Sequence, residues 1–351
     1  MPIAHGALID MLRAPAAAEG RVVYVSIAHP ETRMRRLLEK IPIGALRHAA
    51  LQNYLHISMA LRAWRAPRKA LVIVMEFFPM HLLVAAPLFW LSGRRIAFVM
   101  HGCQQAAVGS LAHRLGLWHY RLYGFESIQL EISDEVLPPS CRLGSARRLI
   151  LPHPIVSDHT PRLACGERLP ATARIRIGVV GILRKGKPAA ELLKRLASLI
   201  PSRFPDCDLI AGTPAWQDDG SLSLANVEVI DTGDMARYFE VLRSLDILVV
   251  DFHRDDYYYR ASGTIADGSS CGCHVVCPDY PVLNHQVTWP ARIGTTFKSH
   301  EGLETALAEA VKYVRANGQD SLWAYREKRD GAYLGQLIDE YLGGRDGSAQ
   351  K

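Results

Sequence analysis

Arg184, Lys185 and Lys187 crowd a short segment, Gly181-Ile-Leu-Arg-Lys-Gly-Lys187, that directly follows an apolar run, Ile175 to Val180. The glycines let backbone come close to a ligand, and three cations in four positions suit a diphosphate. No Gly-Lys-Ser/Thr triplet occurs, so this is not a nucleoside-triphosphate loop. The G-x-G-x-x-G spacing of dinucleotide sites is also absent, which argues against a nicotinamide oxidoreductase. Taken alone, a solvated basic turn explains the segment equally well.

A second segment in the same half points to the same ligand class. Leu245 to Val287 opens on an apolar strand, passes through Tyr257-Tyr258-Tyr259, and reaches Arg260-Ala-Ser262-Gly263-Thr264 where a helix should begin. The first N–H groups of a helix are unpaired and carry the positive end of its dipole, so Arg260, Ser262, Gly263 and Thr264 can hold a phosphate. Asp267 lies one turn beyond Thr264, where a carboxylate can accept from ribose hydroxyls. Complementing the dipole of the first turn is its competing role. The tyrosines can stack on a base or sugar, or simply pack the loop.

These segments need strand ends to carry them. Apolar runs at Arg21–Ile27, Ala70–Met75, Arg95–Met100, Ser127–Glu131 and Arg148–Leu151 alternate with helical patterns at Met34–Trp64, Met80–Leu91 and Leu111–Tyr123. The second half restarts with strands at Ile175–Val180, Cys207–Ile210, Ile247–Val250 and from His274, with helices at Ala189–Leu199, Met235–Ser244, Glu301–Ala316 and Ser321–Leu342. Alternation of this kind predicts an α/β protein with parallel sheets. Its 351 residues suit two domains. Pro161 to Ala173 loses periodicity and gains Pro and Gly, so a linker is expected at 161–173. The expected division is residues 1–160, the linker, a second domain over 174–320, and a terminal helix over 321–345 that packs back toward the first domain. Two such domains would face each other across a cleft at the carboxyl ends of their strands.

Bulk properties narrow the setting. Seven scattered cysteines predict reduced thiols and a cytoplasmic protein. The first residues show no basic segment leading into an apolar one, so no signal peptide is expected. Ala70–Leu91 is long and apolar, but Glu76, Pro79, His81 and Pro87 interrupt it, which favours strand, turn and helix over a membrane span. Residues 1–69 hold 11 Lys and Arg against 4 Asp and Glu, while the remainder is nearly balanced. The basic Arg33–Lys69 region is therefore expected to meet an anionic membrane surface. No basic and aromatic interleaved module supports nucleic-acid binding. Cys271, Cys273, His274 and Cys277 are spaced across a helix end and an apolar strand, which suits buried thiols better than zinc.

The second half resembles the donor domain of GT-B glycosyltransferases, of the broad family-4 type and closest in pattern to bacterial exopolysaccharide mannosyltransferases of the xanthan type. The residues that carry the resemblance are GILRKGK after its strand, DLIAGTP (Asp208–Pro214), DILVVDF (Asp246–Phe252) and SGTIADGSSCG followed by HVVCPD. VIVMEFFPMHLL, RRIAFVMHG and LILPHP are looser marks of the acceptor domain. The resemblance implies two facing Rossmann-like domains (GT-B) and a nucleotide-sugar donor, a GDP- or UDP-sugar. It also implies a saccharide or lipid-linked acceptor. A non-catalytic nucleotide-sugar or glycan-binding protein is the alternative on the same scaffold.

Many retaining relatives carry Glu, seven residues, then Glu; the matching positions here are Tyr259 and Asp267. Tyr259 cannot replace a carboxylate beside the sugar, which tilts the expectation toward inversion. An inverting transfer needs a base from the first domain. Glu76 and His101 follow strands of that domain; Glu76 is favoured as base, and His101 matches a family histidine near the donor. Asp134 and Glu131 are further candidates. His153, in LPHP, matches a loop that faces the cleft. With Arg184, Lys185 and a helix end to offset diphosphate charge, no metal or other cofactor is expected.

Overall fold

The computed structural model describes residues 21–25, 44–75, 77–100, 102–131, 136–144, 147–155, 159–181, 183, 188–215 and 224–343. The described chain forms two compact units. One runs from Pro152 to Tyr333; the other holds the described residues up to Leu151 and resumes at Leu334.

The N-terminal unit is a five-stranded sheet. Its strands are β1 (Val22–Val25), β2 (Leu71–Val74), β3 (Arg95–Met100), β4 (Glu126–Leu130) and β5 (Arg148–Leu151), all parallel and neighbours in chain order. Between them run α1 (Gly44–Ala63), α2 (Leu82–Leu91), α3 (Cys103–Gly109) and α4 (Leu111–Leu122). The strands are unbroken apolar runs because helices must cover a parallel sheet. Phe77, Phe89, Phe98, Tyr120 and Phe125 pack edge to face in the core between sheet and helices. The only carboxylate in β4, Glu126, is held by Arg95 at 2.8 and 3.0 Å and by the Tyr341 hydroxyl at 2.5 Å. Tyr341 sits on the C-terminal helix Gly331–Leu342, which from Leu334 onward belongs to this unit.

The C-terminal unit has a six-stranded parallel sheet in the order β11-β10-β9-β6-β7-β8. The strands are β6 (Ile175–Val180), β7 (Cys207–Thr213), β8 (Val227–Asp231), β9 (Ile247–Val249), β10 (His274–Pro278) and β11 (Gly294–Phe297). After β6 the chain winds outward through β7 and β8. It then returns to the other side of β6 for β9, β10 and β11. The order therefore reverses between β6 and β9, which pair through Ile177–Ile247 and Gly178–Leu248. The connecting helices are α5 (Pro188–Arg203), α6 (Met235–Ser244), α7 (Arg254–Tyr257), α8 (Gly263–Ser270), α9 (Pro281–Thr288), α10 (Leu303–Asn317) and α11 (Asp320–Glu327).

The segment expected as a linker is part of this unit. Arg162 pairs with buried Asp246, whose other oxygen accepts from the Arg176 N–H at 2.8 Å. Leu163 N–H donates to Gln319 at 2.6 Å, and Arg168 reaches Asp320 at 2.7 Å. A periodicity scan misses such anchoring because single side chains reach elements far along the chain. The terminal-helix boundary also shifts: α11 stays in the C-terminal unit, where Tyr325 is buried.

Among the described residues no helix is long and apolar enough to cross a membrane, and no cluster of His, Cys, Asp or Glu is arranged to hold a metal. Cys271, Cys273 and Cys277 are buried, and burial pushes the Cys271 thiol up to about 12. Burial also pulls His274 down to about 3. These are neutral packing groups.

Candidate anion site at the strand-order reversal

In a doubly wound sheet the connections leave the reversal point in opposite directions, which opens a crevice at the carboxyl ends of its two strands. Here those strands are β6 and β9. The two segments singled out by charge follow them directly. Gly181 comes after β6, and the tyrosine loop leading to α8 comes after β9.

Gly181 adopts φ +139°, a conformation that L side chains rarely take, and a Cβ there would meet open space. Its N–H is held by Gly212 O at 2.9 Å, and the Leu183 N–H is held by Thr213 Oγ1 at 3.4 Å. Gly181 and Leu183 are therefore each anchored to β7, and Leu183 is buried. Arg184, Lys185 and Lys187 lie outside the described residues.

The start of α8 is the best-defined part of the site. Ser262 is its N-cap, with Oγ accepting from the Ile265 N–H at 3.3 Å. The Ser262 hydroxyl thus serves the helix, and what faces outward is the half-exposed turn at Gly263 and Thr264. Gln286 on α9 fixes this corner from behind. Its side chain accepts from the Ser262 N–H at 2.9 Å and donates to the Ser262 carbonyl at 2.8 Å, while being fully buried. Gly268 lets α8 lie against β9: a Cβ there would come 2.4 Å from Leu248 Cδ2. Sequence reading missed Gln286, because nothing local to it shows that an amide 24 residues onward braces the helix start.

Arg260 stands just before this helix. Its guanidinium lies 5.2 Å from the Tyr257 ring, and its buried Nε has no partner among the described residues. A guanidinium with its Nε withdrawn from water, next to the first turn of a helix, can hold a negatively charged ligand. The tyrosines are mostly engaged within the loop. Tyr257 stacks on Phe252 at 4.0 Å, Tyr258 packs on Arg254 and Tyr280, and Tyr259 meets Tyr258 edge-on. Packing of the loop accounts for Tyr257 and Tyr258, and Tyr259 is half-buried at its edge.

Asp267 faces inward. It is 5% exposed, and Oδ2 accepts from the Tyr238 hydroxyl of α6 at 3.1 Å. Oδ1 has no partner among the described residues. Burial raises its carboxyl to about 7, opposed by the tyrosine hydrogen bond. Tyr238 therefore takes one oxygen, and at most one remains for a ligand.

His153 is buried, against the expectation that it lines a ligand face. Its Nδ1 lies 2.9 Å from the Pro154 carbonyl, and its own carbonyl accepts from Arg329 at 3.2 Å. Arg329 is itself fully buried, donates to the Trp289 carbonyl at 2.8 Å, and lies over the Tyr325 ring at 4.2 Å. His153 belongs to the clasp that seats the first residues of this unit. A histidine between two prolines in a tight turn gave no sign of that buried arginine. Glu76, His101 and Asp134 lie outside the described residues, and Glu131 is buried at the end of β4.

No protein-family model matches the chain, and no curated protein does. Solved structures do. The chain is similar to HepE from Anabaena, solved in complex with UDP, at 14% identity and TM-score 0.63, over 97% of this chain and 96% of that one. It is also similar to an α,α-trehalose-phosphate synthase (UDP-forming) from Burkholderia xenovorans, solved with glucose-6-phosphate, at 12% identity and TM-score 0.59, over 87% and 80%. A third is the trehalose-6-phosphate enzyme from E. coli bound with UDP-2-fluoro glucose, at 12% identity and TM-score 0.60, over 84% and 78%. The shared architecture is the GT-B fold, with its two Rossmann-like units.

Proposed function

We propose that the chain is a glycosyltransferase that takes a nucleotide-sugar donor on its C-terminal unit. The observation that carries this reading is the position of both anion-seeking segments. Of the eleven strand ends among the described residues, they follow the two that flank the reversal between β6 and β9. The similarity to structures solved with UDP and UDP-2-fluoro glucose supports a nucleotide-sugar ligand.

In this reading Arg260, the α8 start at Gly263 and Thr264, and Arg184 and Lys185 share the diphosphate charge. They stabilise it as the bond from sugar to phosphate breaks, with no metal required. The remaining oxygen of Asp267 accepts from the ribose. The acceptor, a saccharide or lipid-linked saccharide of bacterial surface or exopolysaccharide synthesis, attacks the anomeric carbon. A base from the N-terminal unit, Glu76 or His101, takes the hydroxyl proton, and the nucleoside diphosphate leaves. The reaction is read as inverting and the sugar as a hexose, with mannose favoured. The basic Arg33–Lys69 region would hold the enzyme at the inner face of an anionic membrane.

The test is release of nucleoside diphosphate from a panel of UDP- and GDP-sugars, with and without saccharide acceptors. Turnover of one donor, reduced at least about a hundredfold in Arg260→Ala, is expected. Tyr259 at a position where relatives hold a carboxylate favours one second reading, a non-catalytic nucleotide-sugar binder. Tight binding with no turnover of any donor would select it.

A further inference from the structure

The outer faces of α2 and α4 are apolar. With 3.6 residues per turn, Leu111, Leu115, Trp118 and Leu122 fall on one stripe of α4. The opposite side holds Gly116, Leu117 and Tyr120, all buried. A Cβ on Gly116 would sit 1.8 Å from the Pro79 carbonyl oxygen, so the helix is seated by its inner face and cannot roll. The stripe therefore points away from the core, with its four residues 46–65% exposed.

Beside it α2 exposes Leu83, Val84, Trp90 and Leu91. The two helices are joined where the Trp90 ring lies 6.0 Å from that of Tyr123, just past α4. Exposed Trp64, just past α1, extends the patch, with its Nε1 donating to the Leu88 carbonyl of α2 at 2.8 Å. A helix on a soluble core normally turns polar residues outward, and contiguous apolar surface on this scale marks an interaction face.

Charge identifies the occupant. From Gly44 to Leu130 the chain holds nine Arg and Lys against two acidic residues, Glu76 and Glu126, and Glu126 is paired with Arg95. Arg114 and Arg121 run along one flank of the α4 stripe, while Arg65, Arg68 and Lys69 follow α1. A second copy of the chain docked by this face would bring like charges together. An anionic bilayer suits both features. Its acyl boundary takes Leu and Trp, and its headgroups take the guanidinium and ammonium groups.

We propose that the α2–α4 face of the N-terminal unit inserts into the interfacial layer of an anionic lipid bilayer. This rests on the membrane placement in the proposed function and assigns it to apolar insertion by a different surface. The full chain should sediment with phosphatidylcholine vesicles that contain phosphatidylglycerol, and only weakly with phosphatidylcholine alone. Brominated lipids should quench its tryptophan fluorescence. Leu115→Glu with Trp118→Glu should lower vesicle partitioning by at least about tenfold, since each removes a buried apolar side chain from the lipid. The circular dichroism spectrum and any shift with UDP should be unchanged. A variant that partitions as wild type would overturn the proposal, as would a wild-type chain that binds no anionic vesicle. So would binding that 0.5 M salt removes without any tryptophan quenching, because that pattern is charge alone. A concentration-dependent dimer lost in the same variant would make the face a contact between copies instead. Retained nucleotide binding and turnover separates each of these failures from failure of the glycosyltransferase reading.

Discussion

The two units share an architecture and differ in what their helices show to water. In the C-terminal unit the outer faces carry ion pairs: Arg203 with Glu304 between α5 and α10, Arg237 with Glu240 on α6, and Arg292 with Glu309. In the N-terminal unit the outer faces of α2 and α4 carry leucine, valine and tryptophan. Of the large apolar side chains exposed among the described residues, only Val229 and Met235 lie in the C-terminal unit. Covering a parallel sheet needs one apolar helix face, and the C-terminal unit shows that one is enough. The second apolar face of the N-terminal helices is thus not explained by folding.

The contrast can be broken most forcefully from inside. Arg329→Ala removes a fully buried side chain and its hydrogen bonds to two carbonyls, and should destabilise the C-terminal unit by about 3–5 kcal/mol in urea unfolding. Burial of Asp267 gives a pH-dependent effect. Its folded pKa of about 7 lies above the 3.8 of an ordinary aspartate, so the fold favours the protonated acid. Its contribution is most favourable below about pH 4 and is lost as pH rises through 7, a fall on the order of 4 kcal/mol at most. Asp267→Asn should flatten the stability profile between pH 4 and 8 and raise the midpoint at pH 8. A profile unchanged by the substitution would show that the carboxyl is not buried as described. Ser262→Ala removes the α8 cap and should cost about 1 kcal/mol, with a weaker nucleotide response because the same turn faces the ligand. The smallest effects belong to the two surfaces. Arg237→Ala and Leu115→Glu should each change stability by no more than about 0.5 kcal/mol, although only the second should alter vesicle binding.

Much of the fold was legible because apolar runs and helical periods are local. The strands before Gly181 and before the tyrosine loop stand out for that reason, and so does the Ser262 cap. Short β8 and β11 did not stand out: β8 is a partly exposed edge strand, and β11 has only four residues, two of them threonine. The braces were illegible, since Gln286, Arg329 and Arg162 act on residues 24 to 176 positions away. The depth of Asp267 was hidden too. Helical spacing places it one turn from the ligand face, but only the packing of α6 shows that Tyr238 takes one of its oxygens.

The central claim is that the ends of β6 and β9 form a nucleotide-sugar site, and a thermal shift tests it most directly. Wild-type protein with UDP, GDP and their sugars should show a raised midpoint with one nucleotide class. A ligand at a hundred times its Kd stabilises by about 2.7 kcal/mol. Arg260→Ala should lose that shift while keeping its own unliganded midpoint. A shift retained in Arg260→Ala, or a shift with NAD and none with any nucleotide sugar, would contradict the account.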